Sequence, residues 1–194
     1  MKMLVTGGGG FLGKAIVKRL LQEGHSVSSL CRGDYPALSE LGVEVFRGDL
    51  ADEQSVLKAA KGCDRIYHVA AKAGVWGSYN DFYKPNVVGT ENILKACNVH
   101  QISKLIYTST PSVIHAGGDV EGINEAEPYP EHFETHYPAT KAMAEKMVLE
   151  ANGPNLQTVA LRPHLIWGPE DNHLVPRIVD RAKRGKLKLV GGGL

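Results

Sequence analysis

The sequence predicts an α/β fold built on a doubly wound parallel sheet, and three observations carry that expectation. Six short apolar runs alternate with segments whose apolar residues recur every three or four positions. A cluster of glycines separates the first run from the first such segment. Of the 194 residues, 43% are apolar and 22% charged, which supplies a globular core and excludes wholesale disorder.

The elements follow in chain order. Met3–Thr6 is the first buried strand. In the helix predicted over Phe11–Gln22, Phe11, Leu12, Ala15, Ile16, Leu20 and Leu21 form one face and Lys14, Lys18 and Arg19 the other, with Gly24 as its stop. Strands Ser26–Cys31 and Val43–Phe46, a helix over Asp52–Ala60 and a strand over Arg65–Val69 come next. Ala73–Pro85, with Trp76, Tyr79, Phe82 and Tyr83, reads as an aromatic loop entering a helix over Val87–Cys97. Strand Lys104–Ser109 is followed by a long polar stretch, Ile114–Pro138, with Gly117, Gly118, Pro128 and Pro130. A loop of that length in a compact domain is functional or disordered. Helix Thr140–Glu150, strand Thr158–Leu161 and a strand-like Leu187–Val190 complete the pattern. Strand–helix alternation needs right-handed crossovers, which place helices on both sheet faces. The expected division is a dinucleotide-binding domain over residues 1–170 and the start of a substrate-binding part over 171–194.

Composition narrows the function. Twenty-two basic and 21 acidic residues leave a net charge of +1, so there is no global attraction to nucleic acid or anionic membranes. Cys31, Cys63 and Cys97 are too few and too scattered for a disulfide framework or zinc ribbon. No apolar run reaches the roughly 18–20 residues that span a bilayer, and the N-terminus has no signal-type apolar region. A cytoplasmic protein is expected.

Thr6-Gly7-Gly8-Gly9-Gly10-Phe11-Leu12-Gly13 lies between first strand and first helix. Gly7, Gly10 and Gly13 have the spacing that lets a backbone turn tightly, approach a pyrophosphate and pack helix on strand. The phosphates would face unpaired amides at the positive end of the helix, with Phe11 and Leu12 beside them. About 20 residues on, an acid normally accepts from a ribose 2′-hydroxyl. Here Cys31 stands at that place and Arg32 follows, a cation suited to a 2′-phosphate. This favours NADP(H) over NAD(H), the other reading being that Arg32 is solvated and Asp34 takes the ribose. Asp49 and Leu50, after the third strand, are placed to border the adenine.

Tyr137 and Lys141 stand four apart, on one face of a helix, with Pro138 tolerable in its first turn. A nearby ammonium is expected to lower a phenol from its usual value of about 10. Such a phenol can exchange a proton with a carbonyl or alcohol oxygen while hydride moves at the attached carbon. The preceding strand ends in Thr108-Ser109-Thr110, which adds hydroxyls to the set.

Together these residues resemble the extended short-chain dehydrogenase/reductase superfamily, the branch with nucleotide-sugar epimerases and 3β-hydroxysteroid dehydrogenases. The resemblance covers essentially the whole chain and includes His68-Val69-Ala70-Ala71-Lys72, Asn86-Val87-Val88-Gly89-Thr90 and Leu161-Arg162-Pro163. It implies a Rossmann fold and an oxidoreductase acting on a hydroxyl/ketone pair. By position it makes Thr110 the catalytic hydroxyl, with Ser109 as second choice. Asn86 would hold the active-site helix and a proton-relay water. Ala70, Ala71 and Lys72 would lie along the cofactor, Pro163 and Ile166 beside the nicotinamide. Lys141 would bond the nicotinamide ribose. Residues 71–79, 107–113 and 161–169 are similar to the branch's reductases of long, two-tailed β-keto acids in bacterial olefin biosynthesis. That likeness implies a hydrophobic keto acid substrate, further copies of the chain and other enzymes of the pathway as partners, with no nucleic acid and no membrane span. Members of the superfamily continue for over a hundred residues more, so a truncated chain is expected.

Other readings stay open. Sterol dehydrogenases and nucleotide-sugar epimerases or dehydratases share these motifs, and a non-catalytic dinucleotide sensor would need only the glycines. His132 and His136 are four apart, but Glu134 is misplaced for a zinc helix and prolines flank the pair, so no metal is expected. Arg177, Arg181, Arg184 and Lys188 read as a solvated face. Trp76, Tyr79 and Phe82 read equally as core or as a hydrophobic wall of the substrate pocket.

Overall fold

The computed structural model describes residues 1–115, 117, 121–171 and 174–188. They belong to two compact units, Met1–His164 and Leu165–Leu194. The first unit is the α/β fold that the sequence predicts. Its strands are β1 (Lys2–Thr6), β2 (Ser26–Cys31), β3 (Glu44–Arg47), β4 (Arg65–His68), β5 (Lys104–Thr108) and β6 (Gln157–Leu161). All pairings are parallel, in the order β3-β2-β1-β4-β5-β6. The chain therefore winds outward from β1 in two directions, and every strand ends on one rim. The switch of direction lies between β1 and β4, where parallel sheets open a crevice for ligands.

Helices α1 (Phe11–Gln22), α2 (Pro36–Glu40), α3 (Glu53–Ala60), α4 (Tyr79–Tyr83), α5 (Gly89–Val99) and α6 (His136–Glu150) flank the sheet. On one face Leu4, Ile66 and Leu105 pack against Val56, Ile93 and Val148 of α3, α5 and α6. On the other, Met3, Val5 and Val27 pack against Val17 and Leu20 of α1 and Leu38 of α2. Burying such side chains supplies about 1.5–3 kcal/mol each, the main term holding both layers. Val159 and Leu161 of β6 stay exposed, so the second face is covered mainly at β1–β3.

Local chemistry sets where elements begin and end. β4 stops at His68 because the Val69 and Ala70 amides turn to Thr6 Oγ1, at 3.0 and 3.1 Å, instead of continuing the ladder. Asp52 caps α3 through the amides of Gln54 and Ser55. The aromatic loop does lead into a helix, but through a capping box at Ser78 and Asp81, then α4, then a π-helical turn over Lys84–Val88 before α5. α6 starts at His136, four residues earlier than its periodicity suggests, since Pro138 loses nothing in a first turn. In the polar stretch after β5, a 3₁₀ turn (Pro111–Val113) is the one regular element before α6 among the described residues. Gly118 lies outside them.

In the second unit the described residues form one helix, α7 (Val175–Lys183), with no buried side chain. Arg184 pairs with Asp180 at 2.8 Å, and the predicted basic face of Arg177, Arg181, Arg184 and Lys188 is exposed. Leu187 and Lys188 are not in a strand, and the rest of the strand-like Leu187–Val190 lies outside the described residues. Among the described residues no helix is long and apolar enough to cross a membrane.

Candidate active site

The glycine turn leaves β1 and enters α1 with no side chain in its way. Gly7 has φ +72°, a left-handed conformation that suits glycine, and a Cβ there would touch Ala70 at 3.0 Å. A Cβ on Gly13 would run into the Gly7 carbonyl. Gly10 caps α1 without any side-chain hydrogen bond, and no acid occupies the first turn. The amides there face a cleft of ≈ 320 Å³. Gly7, Gly10, Phe11, Leu12 and Gly13 form its floor, Arg32, Asp49 and Leu50 one side, and Ala70 and Ala71 the other. Tyr35, which sequence reasoning missed, covers the turn: a Cβ on Gly9 would strike its ring. Only its place soon after β2 signals it. A bare-backbone cradle at a helix N-terminus fits the pyrophosphate of a dinucleotide.

Lys72 does not line this cleft. Its backbone is held on both sides by Asn86, whose Oδ1 accepts from Lys72 N at 2.8 Å and whose Nδ2 donates to Lys72 O at 3.1 Å. The same Nδ2 donates to Thr140 Oγ1 at 3.1 Å. Asn86 thus ties the loop after β4 to the first turns of α6, beside Lys141.

A buried polar chain reaches Asn86 from the glycine turn. Thr6 Oγ1 already accepts two amides, so its own hydrogen goes to His68 Nδ1 at 2.8 Å. Thr90 donates to Asn86 O at 2.6 Å and so accepts from His68 Nε2 at 3.1 Å. These bonds fix the neutral Nε2–H form of the imidazole. Burial, helped by the Lys141 charge, pushes His68 down to about 3.

Tyr137, Thr110 and Lys141 gather at the end of β5. Tyr137 lies in the first turn of α6, and the Thr110 hydroxyl, itself bonded to Ser112, favours ionisation of its phenol. Burial is the larger effect and raises the phenol above its usual value. The expected lowering by Lys141 does not occur. The ammonium turns to the Thr108 carbonyl at 2.7 Å and sits 4.1 Å from the Tyr107 ring centre. Burial lowers Lys141 to about 7, against the opposing charge of Glu145. Ser109, one residue on, faces away: its buried Oγ lies toward Glu145, close enough to favour the carboxylate but short of a well-formed hydrogen bond.

A second hollow of ≈ 300 Å³ opens beside Tyr137, walled by Val75, Ser112, His115 and Thr135. Of the aromatic residues, Phe82 is core, Trp76 is 89% exposed, and Tyr79 stacks on Tyr83 at 5.4 Å. Pro163 lies two residues past the end of β6; Ile166 falls in the second unit.

The 3-beta hydroxysteroid dehydrogenase/isomerase family matches residues 4–193. A 2-alkyl-3-oxoalkanoate reductase of Stenotrophomonas maltophilia is 55% identical over 100% of this chain and 59% of its own length. One of Shewanella oneidensis is 53% identical over 96% of the chain and 50% of its own length. The chain therefore spans about half to three fifths of these relatives. Among solved structures, a Thermus thermophilus UDP-glucose 4-epimerase in complex with NAD superposes with TM-score 0.78 and 32% identity, covering 95% of this chain and 63% of the epimerase.

Proposed function

The chain belongs to the 3-beta hydroxysteroid dehydrogenase/isomerase family, and from that premise we propose that it carries the cofactor and proton-transfer machinery of an NADP(H)-dependent ketone reductase. The substrate class we propose is a 2-alkyl-3-oxoalkanoate, reduced to the 3-hydroxy acid on the route to long-chain olefins. The observation that carries the reading is that α6 brings Tyr137 and Lys141 to the end of β5, where the ammonium bonds the Thr108 carbonyl at 2.7 Å, on the sheet rim that also ends in the glycine cradle.

Gly7, Gly10 and Gly13 would hold the pyrophosphate against the α1 amides, with Asp49 and Leu50 at the adenine and Arg32 at a 2′-phosphate. Arg32 is exposed on the cleft wall, and Cys31 stands at the end of β2, where a carboxylate would repel such a group. When bound, the nicotinamide supplies hydride to the carbonyl carbon. Tyr137 gives its phenolic proton to the carbonyl oxygen, and Thr110 hydrogen-bonds the same oxygen. A phenol raised by burial is protonated at neutral pH, the form that reduction requires. Lys141 would reach the nicotinamide ribose from the Thr108 carbonyl, and Asn86 holds α6 so that both side chains face the rim. The hollow beside Tyr137, walled by Val75 and Pro138 among polar residues, would take part of the substrate.

The test follows loss of NADPH absorbance with a 2-alkyl-3-keto acid, against NADH and a uridine-nucleotide sugar as controls. NADPH-dependent turnover of the keto acid alone is the expected result. Turnover of the nucleotide sugar, or none with any ketone, overturns the reading.

A further inference from the structure

Behind Lys141, one helical turn along α6, lies a carboxylate that the reaction scheme does not use. The Glu145 side chain is fully buried. Arg162, leaving β6, grips it with Nη2–Oε1 at 2.6 Å and Nε at 3.1 and 3.3 Å from the two oxygens. Tyr129, from the polar stretch before α6, donates to Oε1 at 2.8 Å, and the Arg162 guanidinium lies 5.8 Å from the Tyr129 ring centre. Residues of three segments thus converge on one charge: the stretch after β5, the exit of β6 and α6 itself. A buried carboxylate persists only where its partners are this complete.

We infer that Glu145 is a positioning residue for Lys141: its clamped carboxylate, one turn away on the same helix, favours the charged lysine from behind, while Arg162 and Tyr129 join the segments beside the candidate site to that helix. The inference rests on the reductase reading for what Lys141 does there, and on the clamped carboxylate one helical turn away for what keeps it charged.

The electrostatic surroundings agree. Burial pushes the Glu145 carboxyl up, but bonds from Arg162 and Tyr129, the nearby Ser109 hydroxyl and the Arg162 charge together hold it below the ordinary carboxylate range. Around Lys141, His68 comes from β4, Tyr107 from β5 and Tyr137 from α6. Glu145 is the one charge that favours the ammonium against its burial. Arg162 balances that charge, so the two residues should act on Lys141 with opposite sign.

That opposition gives the experiment. In the full chain carrying an isotopic label at lysine Cε, NMR follows the titration of Lys141, assigned by its loss in Lys141→Met. Glu145→Gln should move the midpoint down by about one pH unit, the size expected of a lost opposite charge nearby. Arg162→Gln should move it up, and Glu145→Asp should return it toward wild type whatever its melting temperature. The alkaline limb of NADPH-dependent reduction should move the same way in each variant. Midpoints unmoved, or moved in one direction by both charge removals, overturn the assignment. If Glu145→Gln does not fold, the upward shift in Arg162→Gln decides alone. Opposite midpoint shifts with no turnover in any variant overturn the reductase reading and leave the role of Glu145 standing.

Discussion

Lys141 Nζ donates to the carbonyl of Thr108 at 2.7 Å, on the strand that ends two residues before Thr110. The lysine is therefore anchored on the strand rather than on the phenol, and the two groups divide the work. Burial raises the Tyr137 phenol, while in the proposed reaction Lys141 would be the group that reaches the ribose.

Removing the phenolic proton should stop the chemistry without emptying the cleft. Tyr137→Phe is expected to lower turnover by about 10²- to 10⁴-fold, the usual worth of a positioned acid. NADPH affinity, read by fluorescence titration, should barely change, because the cradle lies at Gly7–Gly13.

Arg32 should set cofactor choice. Charge-assisted hydrogen bonds are worth about 1.5–3 kcal/mol, so Arg32→Ala should cut kcat/KM with NADPH roughly ten- to a hundredfold. The value with NADH should change little, and the ratio of the two is the measurement.

Asn86 serves three partners at once. Asn86→Ala strands buried groups on Lys72 and Thr140 at about 1–3 kcal/mol each. The melting temperature should fall by several degrees, at roughly 2–4 °C per kcal/mol for a chain of this size. Turnover should fall further than cofactor affinity, since the loosened helix carries Tyr137 and Lys141.

His68 should make the fold acid-sensitive. Its folded value of about 3 lies below the ordinary 6.5, so the unfolded chain binds an extra proton between those limits. Its contribution to stability is whole above pH 6.5 and is lost as pH falls toward 3. Denaturant melts across that window should show a shallower decline in His68→Gln than in wild type, even though the variant starts less stable at neutral pH.

The sheet was legible because each strand carries a short apolar or β-branched stretch between helical segments, and α1 because its apolar face repeats at helical spacing. The shorter elements were not. α2 has five residues, and α4 is set by a capping box rather than by a stripe. Spacing brought Tyr137 and Lys141 to one helix, but it could not say which way the ammonium turns, because Thr108 and Tyr107 approach it from another strand. Spacing could not separate Ser109 from Thr110 either: adjacent residues on an extended backbone point to opposite sides, and Ser109 lies toward Glu145 while Thr110 influences Tyr137. Glu145 carried a faint signal, standing four residues after Lys141, yet its partners Arg162 and Tyr129 come from distant segments.

The π-helical turn over Lys84–Val88 makes the chain intolerant of one particular excision. A π turn accommodates one residue more than an α-helical turn, and Asn86 owes its angular setting to that surplus. Deleting Pro85 would let the segment relax into an uninterrupted helix running from Tyr79 to Val99. The carboxamide would then swing about a quarter-turn around the axis, away from the Lys72 backbone. Helix content would rise and alignment of the rim would be lost, so a more regular protein would be a less capable one.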